Sequence, residues 1–139
     1  MPVPEPVGKK VHIVWTRTRA IDLCRRLPDC YEDYPFHDPN WTVMRHKTNR
    51  KTFALIFEHQ GRLWVNVKAE PAWGDFWKET YPAVVPAYHM NKRHWIGIIL
   101  DGSMTEEQVF TCIAESYALT APKRRTSSRT SKPPVERVV

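Results

Sequence analysis

Apolar positions along the chain alternate between a helical and a two-residue period, and the switches mark out its elements. Ala20, Ile21, Cys24 and Leu27 recur at the spacing of one helix face. Thr16 or Thr18 can cap that helix, and Pro28 disfavours helical backbone at Leu27. Three alternating runs follow: Trp41, Val43 and Arg45; then Phe53, Leu55 and Phe57; then Leu63, Val65 and Val67. Their connections, KTNRK and HQGR, are short, so the runs predict an antiparallel meander, with Gly61 making the second turn. The stretch DCYEDYPFHDPN between the first helix and the meander has two prolines, many acids and no period, and reads as a loop closing over one end of the core.

The helical period returns at Pro71, a residue suited to the first helical position, with Trp73, Phe76, Trp77 and Tyr81 forming an aromatic stripe for the core. Pro82 ends that helix. Val84 to Tyr88 reads as a short strand, which Pro86 places at a sheet edge because it has no N–H for a ladder. Trp95 to Leu100 is continuously apolar and predicts an inner strand, with Gly97 where another element comes close. In the last helix Thr105 and Gln108 form a capping box ahead of Val109, Phe110, Ile113 and Tyr117, and the helix stops before Pro122. The order is therefore α-β-β-β-α-β-β-α. It predicts an α+β protein, an antiparallel five-stranded sheet with helices packed on one face, and excludes a doubly wound parallel sheet.

Composition sharpens this picture at the ends. Over 139 residues the formal net charge is +6, but Lys123, Arg124, Arg125, Arg129, Lys132 and Arg137 stand against Glu136 alone. Residues 1–122 thus carry fifteen Lys and Arg against fourteen acids, so a nucleic-acid reading has to rest on local patches or on the tail. Residues 1–15 are expected to be an extended lead-in, 16–122 one domain, and 123–139 a basic tail that cannot offset the entropy of ordering. Arg17, Arg19, Arg25 and Arg26 read as a solvated basic face beside the first helix. The three cysteines lack a CxxC pair and predict free thiols in a reducing compartment. With neither a signal pattern nor a long apolar run, the expectation is a cytoplasmic protein without a membrane partner.

The densest chemistry lies in YPAVVPAYHMNKRHW, Tyr81 to Trp95. His89 and His94 are five apart across a turn, with no Cys, Asp or Glu inside the motif, so no metal or cofactor is expected; one histidine is expected to be hydrogen-bonded into the turn. Asp29, Glu32, Asp33 and Asp38 lack the spacing of a calcium loop and read as solvated or paired with the basic turn. The turns at Lys47 to Lys51 and His89 to His94 are both basic.

Beyond these local signals, the LP-x-x-YEDYPF stretch from Leu27, the TFAL run from Thr52, VNVKAEP from Val65 and YPAVVPAYHMNKRHW leading into WIGIILDG resemble the MmcQ/YjbR family. That family is described as having a double-wing, frataxin-like or secretion-chaperone-like α+β fold, and the similarity covers roughly residues 16 to 123. His37 stands where many members have glycine, and Ala69 where a cysteine is common. Members are commonly labelled DNA-binding, and the resemblance implies the same here, with no catalytic residues.

The resulting expectation is a non-enzymatic DNA-binding protein whose two basic turns act as wings. Lys47, Arg50, Lys51, Lys92 and Arg93 contact phosphates, and Arg124 and Arg125 extend the contact. Asn91 is placed to reach a base edge, Tyr88 or Trp95 to stack on an unpaired base, and His89 and His94 to flank them. The alternatives are a protein-interaction or chaperone-like module, possible as a homodimer, and an enzyme with Tyr88, His89 and His94 lining one pocket.

Overall fold

The periods become α1 (Arg17–Cys24), β1 (Cys30–Asp33), β2 (Thr42–His46), β3 (Thr52–His59), β4 (Arg62–Lys68), α2 (Pro71–Thr80), β5 (Val84–Pro86), β6 (Trp95–Ile99) and α3 (Glu106–Thr120). These are seen in a computed structural model that describes residues 14–123. Residues 1–13 of the lead-in and the tail from Arg124 lie outside the described residues, while Trp15 already packs against the core. The strands form one sheet in the order β1-β2-β3-β4-β6-β5, antiparallel throughout. The class is the expected α+β, with six strands where the sequence predicts five. The extra strand is β1, inside the acidic stretch read as a loop. It has no alternation to betray it because it is an edge strand on which only Cys30 is buried. Among the described residues no helix is long and apolar enough to cross a membrane.

The helices lie on one face of this sheet. Ala20, Leu23 and Cys24 of α1, Trp77 of α2 and Val109, Cys112 and Ile113 of α3 form one core with Met44, Ala54, Ile56, Val65, Val67, Ile96 and Ile98. Capping follows the sequence: Thr16 accepts from the Arg19 N–H at 3.1 Å, and both halves of the Thr105–Gln108 box are made. α1 stops at Cys24, short of Leu27, with Arg25 as its C-cap.

One strand departs from simple alternation. Arg45 pairs with Thr52 while Met44 pairs with Ala54, so Phe53 is an extra residue and turns to the helix face, away from Leu55 and Phe57. The bulge is held from α3. The Ser116 hydroxyl donates to the Phe53 carbonyl at 2.6 Å and accepts from the Lys68 N–H at 2.8 Å, which satisfies two buried groups the ladder leaves open.

The other face has no helix. Trp41, Phe57, Trp64 and Tyr88 cover it, with Trp41 stacked on Phe57 at 4.3 Å between ring centroids. The segment after β5 crosses this face instead of projecting as a hairpin tip. The Asn66 amide donates to the Tyr88 carbonyl at 3.0 Å, and the Tyr88 ring stacks on His59 at 3.7 Å. Gly97 allows the layer to close down, since a Cβ there would lie 3.0 Å from both Asn66 Oδ1 and the Trp64 ring.

Candidate nucleic-acid interface

Antiparallel register decides which loops share an end of the sheet. β2 ends at His46, β3 begins at Thr52, β4 ends at Lys68 and β6 begins at Trp95, so the turns at 47–51 and 91–94 and the start of α2 lie at one end. The Gln60–Gly61 turn, both residues left-handed with φ 55° and 75°, lies at the other. At an interstrand spacing of about 4.8 Å, the two basic turns are roughly 10–15 Å apart.

Each turn is built by local hydrogen bonds. In the first, the Arg50 N–H donates to the His46 carbonyl at 2.9 Å and the Lys51 N–H to Asn49 Oδ1 at 2.9 Å, with Arg50 left-handed at φ 63°. The Asn49 amide donates to the Thr120 carbonyl at 2.9 Å, so α3 finishes against this turn and the chain towards Lys123 leaves beside it. Below it, His46 is buried and its Nε2 lies 2.8 Å from the Thr120 hydroxyl. That hydroxyl donates to the Ser116 carbonyl at 2.8 Å, so the imidazole is the donor in the pair. Burial lowers the His46 pKa, and a backbone hydrogen bond at Tyr117 partly opposes it. In the second turn Asn91 Oδ1 accepts from the Arg93 N–H at 2.9 Å, and the Asn91 carbonyl accepts from the His94 and Trp95 N–H groups. Asn91 is therefore the residue that folds the turn.

The cations fall into two groups. Arg19, Arg25, Arg26, Arg45 and Lys78 pair with Glu106, Glu32, Glu107, Asp33 and Asp75. Arg17 is no solvated arginine either: its guanidinium donates to the Asn40 and Ile56 carbonyls at 2.7 and 2.9 Å. By contrast Lys47, Arg50, Lys51, Arg62, Lys68, Lys92, Arg93 and Lys123 make no ion pair among the described residues. Arg62 stands alone at the opposite end, beside the Gln60–Gly61 turn; the others belong to the end of the sheet just described, except Lys123, which follows Thr120, itself tied to that end. The acids of the β1 region pair with Arg25 and Arg45, not with the basic turn as one of the sequence alternatives had it.

Lys68 is the cation the sequence reading missed. It sits 6.0 Å over the Trp95 ring, and with His94, Glu70 and Leu119 it lines an open cavity of about 400 Å³ between the two turns. Its position at the end of an alternating run was legible, but only the register of β4 with β6 brings it between the turns.

The aromatic candidates separate. Tyr88 is engaged by His59 and His89, at 3.7 and 4.1 Å, and His89 is carried to the helix-free face while His94 stays at the cationic end. Neither of the two described cavities brings Tyr88, His89 and His94 together. Arg124 and Arg125 lie outside the described residues. Among the described residues no three His, Cys, Asp or Glu side chains gather as a metal-holding group. All three cysteines are free and buried, and burial pushes the Cys24 and Cys112 thiols well above their ordinary range.

Residues 25–119 match the YjbR family model. The chain is 31% identical over 99 residues to the uncharacterised protein YyaQ of Bacillus subtilis, covering 63% of this chain and 83% of that one. It is 32% identical over 97 residues to the uncharacterised protein YbdF of Escherichia coli O157:H7, covering 70% and 77%. Among solved structures, a crystal structure of a Pseudomonas syringae protein superposes with a TM-score of 0.69 at 28% identity, over 77% of this chain and all 100% of that one.

Proposed function

The chain belongs to the YjbR family, and from that premise we propose that it is a nucleic-acid-binding protein that works by binding rather than catalysis. The observation that carries the reading is the distribution of cations: Arg19, Arg25, Arg26, Arg45 and Lys78 meet carboxylates, whereas six of the seven described cations of the sheet and its turns that make no ion pair, all but Arg62, gather at the Lys47 end. Unpaired cations held close together repel one another and gain when a polyanion replaces their counterions. A duplex carries one phosphate charge per about 3.4 Å of axis on each strand, so turns roughly 10–15 Å apart reach separate phosphates of one backbone. Lys47, Arg50 and Lys51 grip one part of the backbone and Lys92 and Arg93 another, with Lys68 between them. The contact is chiefly electrostatic and weakly selective for sequence.

The test is the binding of the full chain to short single- and double-stranded DNA across a salt series, with a Lys92→Ala/Arg93→Ala variant alongside. Each lost phosphate contact reduces the salt slope by roughly 0.7–0.9. A reduction of about 1.5 is expected. An unchanged slope and affinity would remove these two residues from the interface.

A further inference from the structure

On the helix-free face, Phe36, Asp38, Trp41, Leu55, His89 and Met90 line an open cavity of about 300 Å³. Trp41 has one side on Phe57, at 4.3 Å and 17° between ring planes. Phe36 stands edge-on to it at 6.5 Å and is 55% exposed, an unusual investment of a large aromatic side chain in solvent. His89 is held beside Trp41, at 6.4 Å, by a left-handed backbone with φ 60°. The neighbouring loop is fixed in the same way at His37, φ 56°. Two strained loops thus present a tryptophan, a phenylalanine, an imidazole and a thioether around one gap.

Polar chemistry in the gap is sparse and directional. Asp38 accepts from the Asn40 N–H through Oδ1 at 2.9 Å, and its other carboxylate oxygen has no partner among the described residues. A carboxylate beside aromatic walls suits a flat ring that carries N–H donors on its edge. Met90 joins this cavity to the cationic turn, since Lys92 and Arg93 are the second and third residues beyond it, and Lys92 Nζ lies 3.4 Å from the Met90 carbonyl. A strand whose phosphates meet that turn has its bases next to the cavity.

We propose that this cavity receives one unpaired nucleobase bearing an exocyclic amino group, stacked on the side of Trp41 away from Phe57 and bounded by the perpendicular Phe36 ring, with its amino edge towards Asp38. The proposal rests on the nucleic-acid reading and adds to it a preference for unpaired bases. Thymine fits poorly, because its single ring N–H is flanked by two carbonyl oxygens that a carboxylate repels.

The experiment titrates the full chain with guanosine, thymidine and N-acetyl-phenylalaninamide, and separately with a short mixed-sequence single-stranded DNA, following the Trp41 indole and Met90 methyl signals by NMR. Guanosine is expected to shift both signals, with thymidine about tenfold weaker. Phe36→Ala, a change at an exposed side chain that leaves the core intact, should weaken guanosine about tenfold, and Asp38→Asn should narrow the difference between the two nucleosides. If guanosine leaves Trp41 and Met90 unmoved while the DNA shifts Lys92 and Arg93, the cavity proposal fails and the cationic interface stands. If guanosine binds at Trp41 and the DNA does not bind at all, the interface reading fails and the cavity alone is supported. Shifts with the phenylalanine amide and none with guanosine would assign the cavity to a protein side chain and overturn the proposal.

Discussion

Around α1 and its C-terminal turn, arginines are structural: Arg17 ties the helix to the far end of β2 and β3 through the Asn40 and Ile56 carbonyls, and Arg19 and Arg26 reach Glu106 and Glu107 of α3. At the Lys47 end of the sheet, residues of the same charge make no ion pair among the described residues, and those of the two turns stand on backbone braced by Asn49 and Asn91. The contrast shows why net charge over residues 1–122 says little about binding. A near-neutral domain gathers cations at one end when those of another flank are held by carboxylates and carbonyls.

Replacing Lys47, Arg50, Lys51, Lys92 and Arg93 together by alanine should break this contrast most severely. DNA affinity at moderate salt is expected to fall by about a hundredfold or more, read by fluorescence anisotropy, with the melting temperature little changed. The converse variant, Arg17→Met, should cost about 2–3 kcal/mol of stability in urea unfolding, because charge-assisted hydrogen bonds to partly buried carbonyls are lost. Its DNA affinity should match that of the parent chain.

A smaller effect is expected where the two regions meet, at the end of α3. Thr120→Val leaves the buried His46 N–H without its acceptor and should cost about 1–2 kcal/mol. The same pair sets a pH dependence. Burial holds the folded His46 below its ordinary value near 6.5, so its contribution is fully present above about pH 6.5 and is lost as pH falls through the lowered folded value. Thermal melts between pH 7.5 and 5 should show stability dropping on acidification, less so in His46→Gln. Least of all, Arg26→Ala should change stability by under about 1 kcal/mol, since its pair with Glu107 is solvent-exposed.

Much of the fold was legible because local signals agreed with tertiary demands. The Thr105 capping box, Pro71 at the start of α2, Pro86 on an edge strand and Gly97 under a close contact were each read from a single physical requirement. What escaped depended on partners distant in sequence. β1 is a strand because β2 offers it an edge, and Phe53 changes face because a bulge opposite Met44 and Arg45 is stapled by Ser116, 63 residues away. The candidate interface was legible in part for the same reason. Its basic turns are visible as runs of cations, but their placement at one end follows from register, and the inclusion of Lys68 follows from β4 ending between them. Side-chain type also does not reveal that Tyr88 and Asn91 have structural partners in Asn66, His59 and the turn itself.

The measurement that bears most directly on the central claim is an amide NMR titration of the full chain with a short DNA at low salt. The account predicts that the largest shifts fall on residues 47–51, 68 and 91–95, fade as salt is raised, and leave residues 17–26 and 59–62 unmoved. Shifts centred on the α1 flank, or spread evenly over both ends of the sheet, would contradict it.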